Sequence, residues 1–509
     1  MPIDFTNKRN ELFHRVQEVN DLNGAASVLI WDQSTYMPTG GSKARGRQLA
    51  TLRRLAHEKF TDPSLGRLLN DLSSHTSELA DDSDDAALIA VTLRKYEDAI
   101  CIPPDFAAQF AEHSTAAYTA WVKARANNDF THVQPFLDKT LDYSRRFSSY
   151  FTGHQHLADP LINQSDYGMT VATIRPIFGE LRERTILLLN RIQEQKQVDS
   201  SCLYQHFPEG SQWEFGIEIA KKFGYDMNRG RQDKTPHPFA IKFSIDDVRI
   251  TSRFSEDRLD DGLFSTLHET GHALYEQGIS PSFEGTHLNH GTSAGVHESQ
   301  SRLWENLVGR SRLFWQHYYP HLQEKFPSQL GTVSLDSFYK AINRVEPSLI
   351  RTDADEVTYN LHVIIRFDLE LDLLEGKLAV ADLPEAWHAR YQTDLGVSSP
   401  TDADGVLQDV HWFGGLIGGS FQGYTLGNIL ASQFFAKATE DEPTIGQEMG
   451  QGQMGTLHRW LRENIYHHGS KYTAPELIKR VTGGGLLLEP YFSYLNTKYG
   501  EIYGFDSTS

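Results

Sequence analysis

The sequence predicts a mainly α-helical protein with one small β-sheet in its middle. Three observations carry this reading. Apolar residues recur at helical spacing along most of the 509 residues. The one stretch of period-two alternation is confined to residues 239–254. No internal repeat, low-complexity tract or long linker interrupts the pattern.

In chain order, Leu12, Phe13, Val16 and Val19 form a first helical stripe, and Leu49, Leu52 and Leu55 a second. Phe106, Phe110, Ala117 and Trp121 share one face of a third helix. Phe239, Ile241, Phe243 and Ile245 then alternate with other residues, and the alternation resumes at Val248, Ile250 and Phe254 after Asp246-Asp247. This predicts two short strands around a turn. In the next helix Leu263, Leu267 and Leu274 make a core-facing stripe beside Phe264, His268 and His272, and Gly278 is placed to end it. His297-Glu298-Ser299-Gln300 opens another helical run through Leu303, Leu307 and Arg310. Asp353 with Glu356 three residues on has the pattern of a helix start, leading into Val357, Leu361, Ile364 and Leu371. Gly414-Gly415-Leu416-Ile417-Gly418-Gly419 is the most flexible stretch. His467-His468-Gly469 reads as a helix C-terminus. Gly483-Gly484-Gly485 lacks the Lys-Ser/Thr of a phosphate loop, which argues against nucleotide binding.

Composition narrows the function. The length suggests two to four domains or one large two-lobed one. With 39% hydrophobic and 23% charged residues the chain is not largely disordered. Lys and Arg total 48 against 67 for Asp and Glu, a net charge of −19 that repels phosphate backbones, and no basic run offsets it. Nucleic acid is therefore not an expected partner. Cys101 and Cys202 are the only cysteines, so there is no disulfide framework and no cysteine-based zinc knuckle; a single bridge between them is the less favoured alternative. The first residues lack a signal-peptide pattern, and no apolar stretch approaches the ~20 residues of a membrane helix. A soluble, cytoplasmic protein is expected.

The chemistry is concentrated in His268-Glu269-Thr270-Gly271-His272. Two histidines four apart on a helix leave one face one turn apart, as two zinc ligands must. Glu269 can reach a water on such a metal without ligating it. Two histidines inside an otherwise buried helix need polar partners, and a metal meets that need. Glu298, far enough on for a loop and a return helix, completes a two-His, one-Glu set; by itself it would read as a solvated glutamate in the first turn of a helix. His287 and His290 are read as ordinary loop histidines.

Five further patterns accompany this motif: His237-Pro238-Phe239, Asp247-Val248-Arg249-Ile250-Thr251, His297-Glu298-Ser299-Gln300, Ile350-Arg351-Thr352-Asp353-Ala354-Asp355, and Gly405-Val406-Leu407-Gln408-Asp409-Val410-His411-Trp412. Trp31-Asp32-Gln33 with Met37-Pro38, and Tyr424-Thr425-Leu426-Gly427-Asn428, extend the set. Together they resemble the carboxypeptidase Taq family of thermostable-type zinc metallocarboxypeptidases, from near residue 30 to past residue 428. Thr425 and the tail around Gly483-Gly484-Gly485 are less typical of it. The resemblance implies a two-lobed helical fold with a deep cleft, similar to neurolysin-like peptidases, as a single metallocarboxypeptidase domain over residues 1–509. It also implies a homodimer, a zinc ion that cobalt can replace, and removal of C-terminal amino acids from peptides with broad specificity.

On this reading His268, His272 and Glu298 bind the metal and Glu269 is the general base. Arg351 matches the family's Ile/Tyr-Arg motif and is the candidate for the peptide's α-carboxylate; the alternative is a salt bridge to Asp353 or Asp355. Arg249 either lines the cleft or pairs with Asp247. His411 and Tyr424, on either side of the Gly-rich stretch, are candidate oxyanion donors or else packing residues. His237 is a candidate hydrogen-bond donor to substrate, and Asp409 a candidate partner of a ligand histidine. Two other functions compete: an endo-oligopeptidase on the same zinc site, and a peptide-binding module without catalysis.

Overall fold

The computed structural model describes residues 3–80 and 82–506, which are predominantly helical around one three-stranded mixed sheet. In that sheet β1 (Gln232–Lys234) runs parallel to β3 (Asp247–Ser252), and β2 (Ala240–Ser244) lies antiparallel on the other side of β3. β2 and β3 are the two expected strands, in register at Ile241 with Arg249 and Lys242 with Val248. Phe239 and Phe254 fall just outside them, and the Phe239 carbonyl still accepts the Thr251 amide at 2.9 Å. β1 was not anticipated, because Gln-Asp-Lys shows no apolar alternation; neighbouring backbone, not side-chain pattern, makes it a strand.

Four helices, Ile3–Thr35, Ser42–Phe60, Pro63–Ser73 and Asp84–Cys101, open the chain. Leu12, Val16 and Val19 are buried, and Leu12 and Val16 join Leu65, Leu69, Ile89 and Tyr96 in a core separate from the main one. The Leu49, Leu52, Leu55 stripe does lie on a helix, but it does not face a core. Leu49 and Leu52 are half-buried, Leu55 is exposed, and only Ala56 of that helix is buried. The main core begins at Phe106, Ala117 and Trp121 on helix Pro104–Asn127 and runs through Leu263, Leu267, Leu361 and Trp412 to the C-terminal helix Glu489–Tyr503.

Two expected helix ends move. Helix Tyr359–Leu374 starts later than the Asp353/Glu356 pattern suggests. Asp355 instead closes the preceding turn by accepting the Val357 and Thr358 amides at 2.9 and 3.0 Å. Glu356 is drawn away to Lys498 and Tyr494, at 2.6 and 2.8 Å. Gly278 does end helix Leu259–Gly278, but with no left-handed residue; a Cβ there would lie 2.6 Å from the Tyr466 side chain. Cys101 and Cys202 are free thiols. No described helix is long and apolar enough to cross a membrane.

Three helices pack around His268, His272 and Glu298: Leu259–Gly278, Ala294–Arg302 and Gln422–Asp441. Ser293 caps the second, its side chain accepting the Val296 amide, and the chain then widens into a π-helix over Leu303–Gly309. Two glycines permit the close packing. A Cβ on Gly271 would lie 2.5 Å from the Gln300 carbonyl oxygen, and one on Gly427 would lie 2.5 Å from Cγ of Glu298.

Candidate metal centre

His268 and His272 project from one face of helix Leu259–Gly278, and Glu298 meets them from helix Ala294–Arg302. Glu298 Oε2 lies 3.6 Å from His268 Nε2 and 3.4 Å from His272 Nε2, and one donor atom from each residue falls within 4.8 Å of the others. Tetrahedral zinc with ligands at 2.0–2.1 Å would separate them by about 3.4 Å, so the spacing suits the ion. The remaining ring nitrogens point away and are engaged. His268 Nδ1 meets Glu305 at 2.9 Å, and His272 Nδ1 meets His297 Nδ1 at 2.6 Å. His297 Nε2 in turn meets Glu276 at 2.9 Å, and Glu276 accepts from Lys242 at 2.9 Å. Each imidazole is thus fixed with Nε2 free for a metal.

Electrostatics agree with that donor set. Burial pushes the Glu298 carboxyl up, but Arg302, His268 and His272 outweigh it and hold it well below the usual carboxylate range. Glu305 is likewise raised by burial, yet the His268 hydrogen bond and Arg302 bring it down to about 2. Both are anions ready beside a cation. Glu269 is different. Burial pushes it up to about 7, and it lines the cavity beside His268.

His268 and Glu269 open into a cavity of about 440 Å³ that also reaches Arg302, Glu305, Arg351 and Tyr359. Arg351 is only 6% exposed. Its acidic partner is neither Asp353 nor Asp355 but Asp409, which accepts from Nη2 at 2.8 Å and from Nε at 3.2 Å. Nη1 donates to the Tyr359 hydroxyl at 3.1 Å. Asp409 therefore serves an arginine and no ligand histidine; Glu305 and His297 have the role expected of it. His411 Nε2 lies 3.3 Å from the Tyr424 hydroxyl, and the Tyr424 ring stands 5.1 Å from the Arg351 guanidinium. Burial lowers His411 to about 4 and raises Tyr424 to about 12, so near neutral pH both are uncharged.

Two candidates lie elsewhere. Arg249 is forked onto Asp247 with two 2.8 Å bonds and stacked between Trp31 and Phe243, away from the cavity wall. His237 is exposed, and its neighbour Pro238 lines the cavity. Arg302, Glu305 and the support given by His297 were missed in the sequence. A signal existed: Arg302 and Glu305 follow Glu298 by four and seven positions, one face of a helix. His287, read as an ordinary loop histidine, is buried against Thr92 and Phe60.

Comparison with known proteins agrees with this geometry. Residues 11–499 match the carboxypeptidase Taq (M32) metallopeptidase family. The chain is 41% identical over 500 residues to thermostable carboxypeptidase 1 of Thermus thermophilus, covering 96% of this chain and 97% of that one. It is 35% identical over 494 residues to carboxypeptidase 1 of Bacillus subtilis, covering 97% and 98%. The crystal structure of an M32 carboxypeptidase from Deinococcus radiodurans R1 superposes with a TM-score of 0.96 at 47% identity, over 98% of this chain and all 100% of that one. Trypanosoma cruzi metallocarboxypeptidase 1 superposes with a TM-score of 0.92 at 30% identity, over 97% and 99%. With a match along almost its whole length and a buried His/His/Glu cluster suited to zinc, the chain belongs to the carboxypeptidase Taq (M32) metallopeptidase family and is a zinc metallocarboxypeptidase acting on peptide C-termini.

Proposed function

We propose that His268, His272 and Glu298 hold one divalent ion, that Glu269 is the general base, and that Arg351 receives the C-terminal carboxylate of the peptide. Zinc in that site supplies a Lewis acid and lowers the pKa of water to about 7. Glu269, which lines the cavity beside His268, takes a proton from the attacking water and returns it to the leaving amine. Tyr424, with His411 behind it, donates a hydrogen bond to the oxyanion that develops at the scissile carbonyl. Arg249 and His237 keep the surroundings described above, and substrate recognition rests with Arg351.

One observation carries the choice of exopeptidase over endopeptidase. A buried arginine lines the same cavity as the base and a metal ligand, where a free carboxylate would fix the register of the scissile bond. Arg351→Ala should lower kcat/KM on a peptide with a free C-terminus by at least about tenfold, the lower end for a charge-assisted hydrogen bond. The same peptide amidated at its C-terminus already lacks that contact in the wild type and should respond far less. An equal loss on both would place the anchor elsewhere.

The same reading extends to the molecule's setting. We assign it one domain with two lobes, in keeping with the separate core of its N-terminal helices. Cobalt suits the same two-nitrogen, one-carboxylate set. The net charge of −19 argues against nucleic acid as a partner. We place it in the cytoplasm, and cell fractionation tests that assignment. A homodimer follows from the family resemblance. Light scattering should give about twice the 57.7 kDa chain mass, and a strictly monomeric species would refute it.

A further inference from the structure

The Arg351 fork is already occupied. Its Nε and Nη2 both donate to Asp409, and an arginine neutralised by an internal carboxylate has little charge left for a substrate carboxylate. Asp409, however, is shared. Its other oxygen accepts from Nε of Arg366, one of the largest wholly buried side chains in the protein. The other hydrogen bonds of the Arg366 guanidinium go to uncharged groups. Nη1 donates to the His362 carbonyl at 2.7 Å and to the Tyr391 hydroxyl at 3.0 Å; Nη2 donates to Gln408 at 2.8 Å; the Trp387 ring lies 4.5 Å from Cζ. Neither arginine makes an ion pair with any other carboxylate among the described residues.

Two guanidiniums, permanently charged, against one carboxylate leave the group with one net positive charge. Asp409 is firmly ionised, since Arg366 and Arg351 outweigh the burial that would raise it. His411, 3.7 Å away and lowered by burial to about 4, is neutral near pH 7 and adds nothing. Arg366 is sealed from solvent, so only Arg351 can present the excess charge to the cavity. Of its five side-chain N–H groups, three are engaged by Asp409 and Tyr359, which leaves two for a ligand.

We propose that Arg366 is a positioning residue that cancels Asp409 from behind, so that Asp409 can orient Arg351 without neutralising it towards the peptide C-terminus. Arg366 touches no substrate and acts through Asp409. The inference rests on Arg351 being the carboxylate anchor.

The test compares the ratio of kcat/KM on a free and an amidated peptide across wild type, Arg366→Met, the double variant Arg366→Met with Asp409→Asn, and Arg351→Ala. Arg366→Met leaves a neutral Arg351–Asp409 pair, and the ratio should fall at least about tenfold, as for loss of one charge-assisted contact. The double variant again leaves one net positive charge, on Arg351 alone, and should recover the ratio to within about threefold of wild type. Because Arg366→Met removes one of the two guanidiniums bonded to a buried carboxylate and can fail to fold, the double variant and Arg366→Lys, which keeps the charge, stand as the second arm. Both should fold and keep a ratio near that of wild type. Equal losses on both peptides in Arg366→Met, or a ratio in the double variant as low as that of Arg351→Ala, would make Arg366 structural and overturn the proposal. If Arg351→Ala itself lowers both peptides equally, the anchor reading fails and this inference with it. If Arg351→Ala is selective and Arg366→Met is not, only this inference fails.

Discussion

At the metal centre three carboxylates are distinguished by what each already touches. Glu298 is tied to Arg302 and Ser301, and Glu305 to His268, whereas Glu269 lines the cavity. The Glu269→Gln variant should therefore keep its metal and lose at least about 10²-fold in kcat, the lower end for general acid–base catalysis. His268→Ala should instead lose stoichiometric metal. Metal analysis beside turnover separates the two, and near-normal turnover by Glu269→Gln would reject its role as base. The ligands were legible in the sequence because helical spacing alone puts two imidazoles on one face. Glu305 and His297 were not, because their value lies in which ring nitrogen they hold, a matter of how two helices meet.

At the scale of elements, the cluster depends on how closely helices Leu259–Gly278 and Gln422–Asp441 approach Ala294–Arg302. Gly427 faces the Glu298 side chain, where a methyl group would lie 2.5 Å from Cγ and 2.6 Å from Cβ. Gly427→Ala should therefore destabilise the protein by about 1–3 kcal/mol, the usual cost of overpacking, and displace a metal ligand as well. Denaturant midpoints together with metal affinity check this, and an unchanged affinity would show that the helices separate without moving Glu298. The sequence places Gly427 in a family-like motif but does not reveal its neighbour. The Leu49, Leu52, Leu55 stripe makes the same point in reverse: periodicity identified a helix, while burial required a partner that the fold does not bring to that face.

For the whole molecule, stability should carry the mark of one buried acid. Glu370 is wholly buried, accepts from the Trp412 indole at 2.8 Å, and is pushed by burial up to about 7 from an ordinary 4.5. A folded-state pKa above the unfolded one contributes stability that is complete below about pH 4.5 and lost as pH rises through 7. Glu370→Gln removes that dependence, so its urea midpoint should gain on wild type as pH rises from 4.5 to 8; parallel curves would contradict the assignment. Glu370 lies on a helix the sequence did predict, yet nothing in its local pattern marks it as a buried acid beneath Trp412. That division runs through the protein. Local covalent geometry determined the helical fold class, the two short strands and the His268/His272 pair, because spacing along a helix or strand decides which side chains share a face, whereas the motif carrying Arg351 was legible through the family resemblance. Only the tertiary structure decided β1, the carboxylate that Arg351 pairs with, the hydrogen bonds orienting both ligand histidines, and the second arginine behind Asp409. Those depend on residues distant in sequence being brought within hydrogen-bond range, and no local pattern encodes that distance.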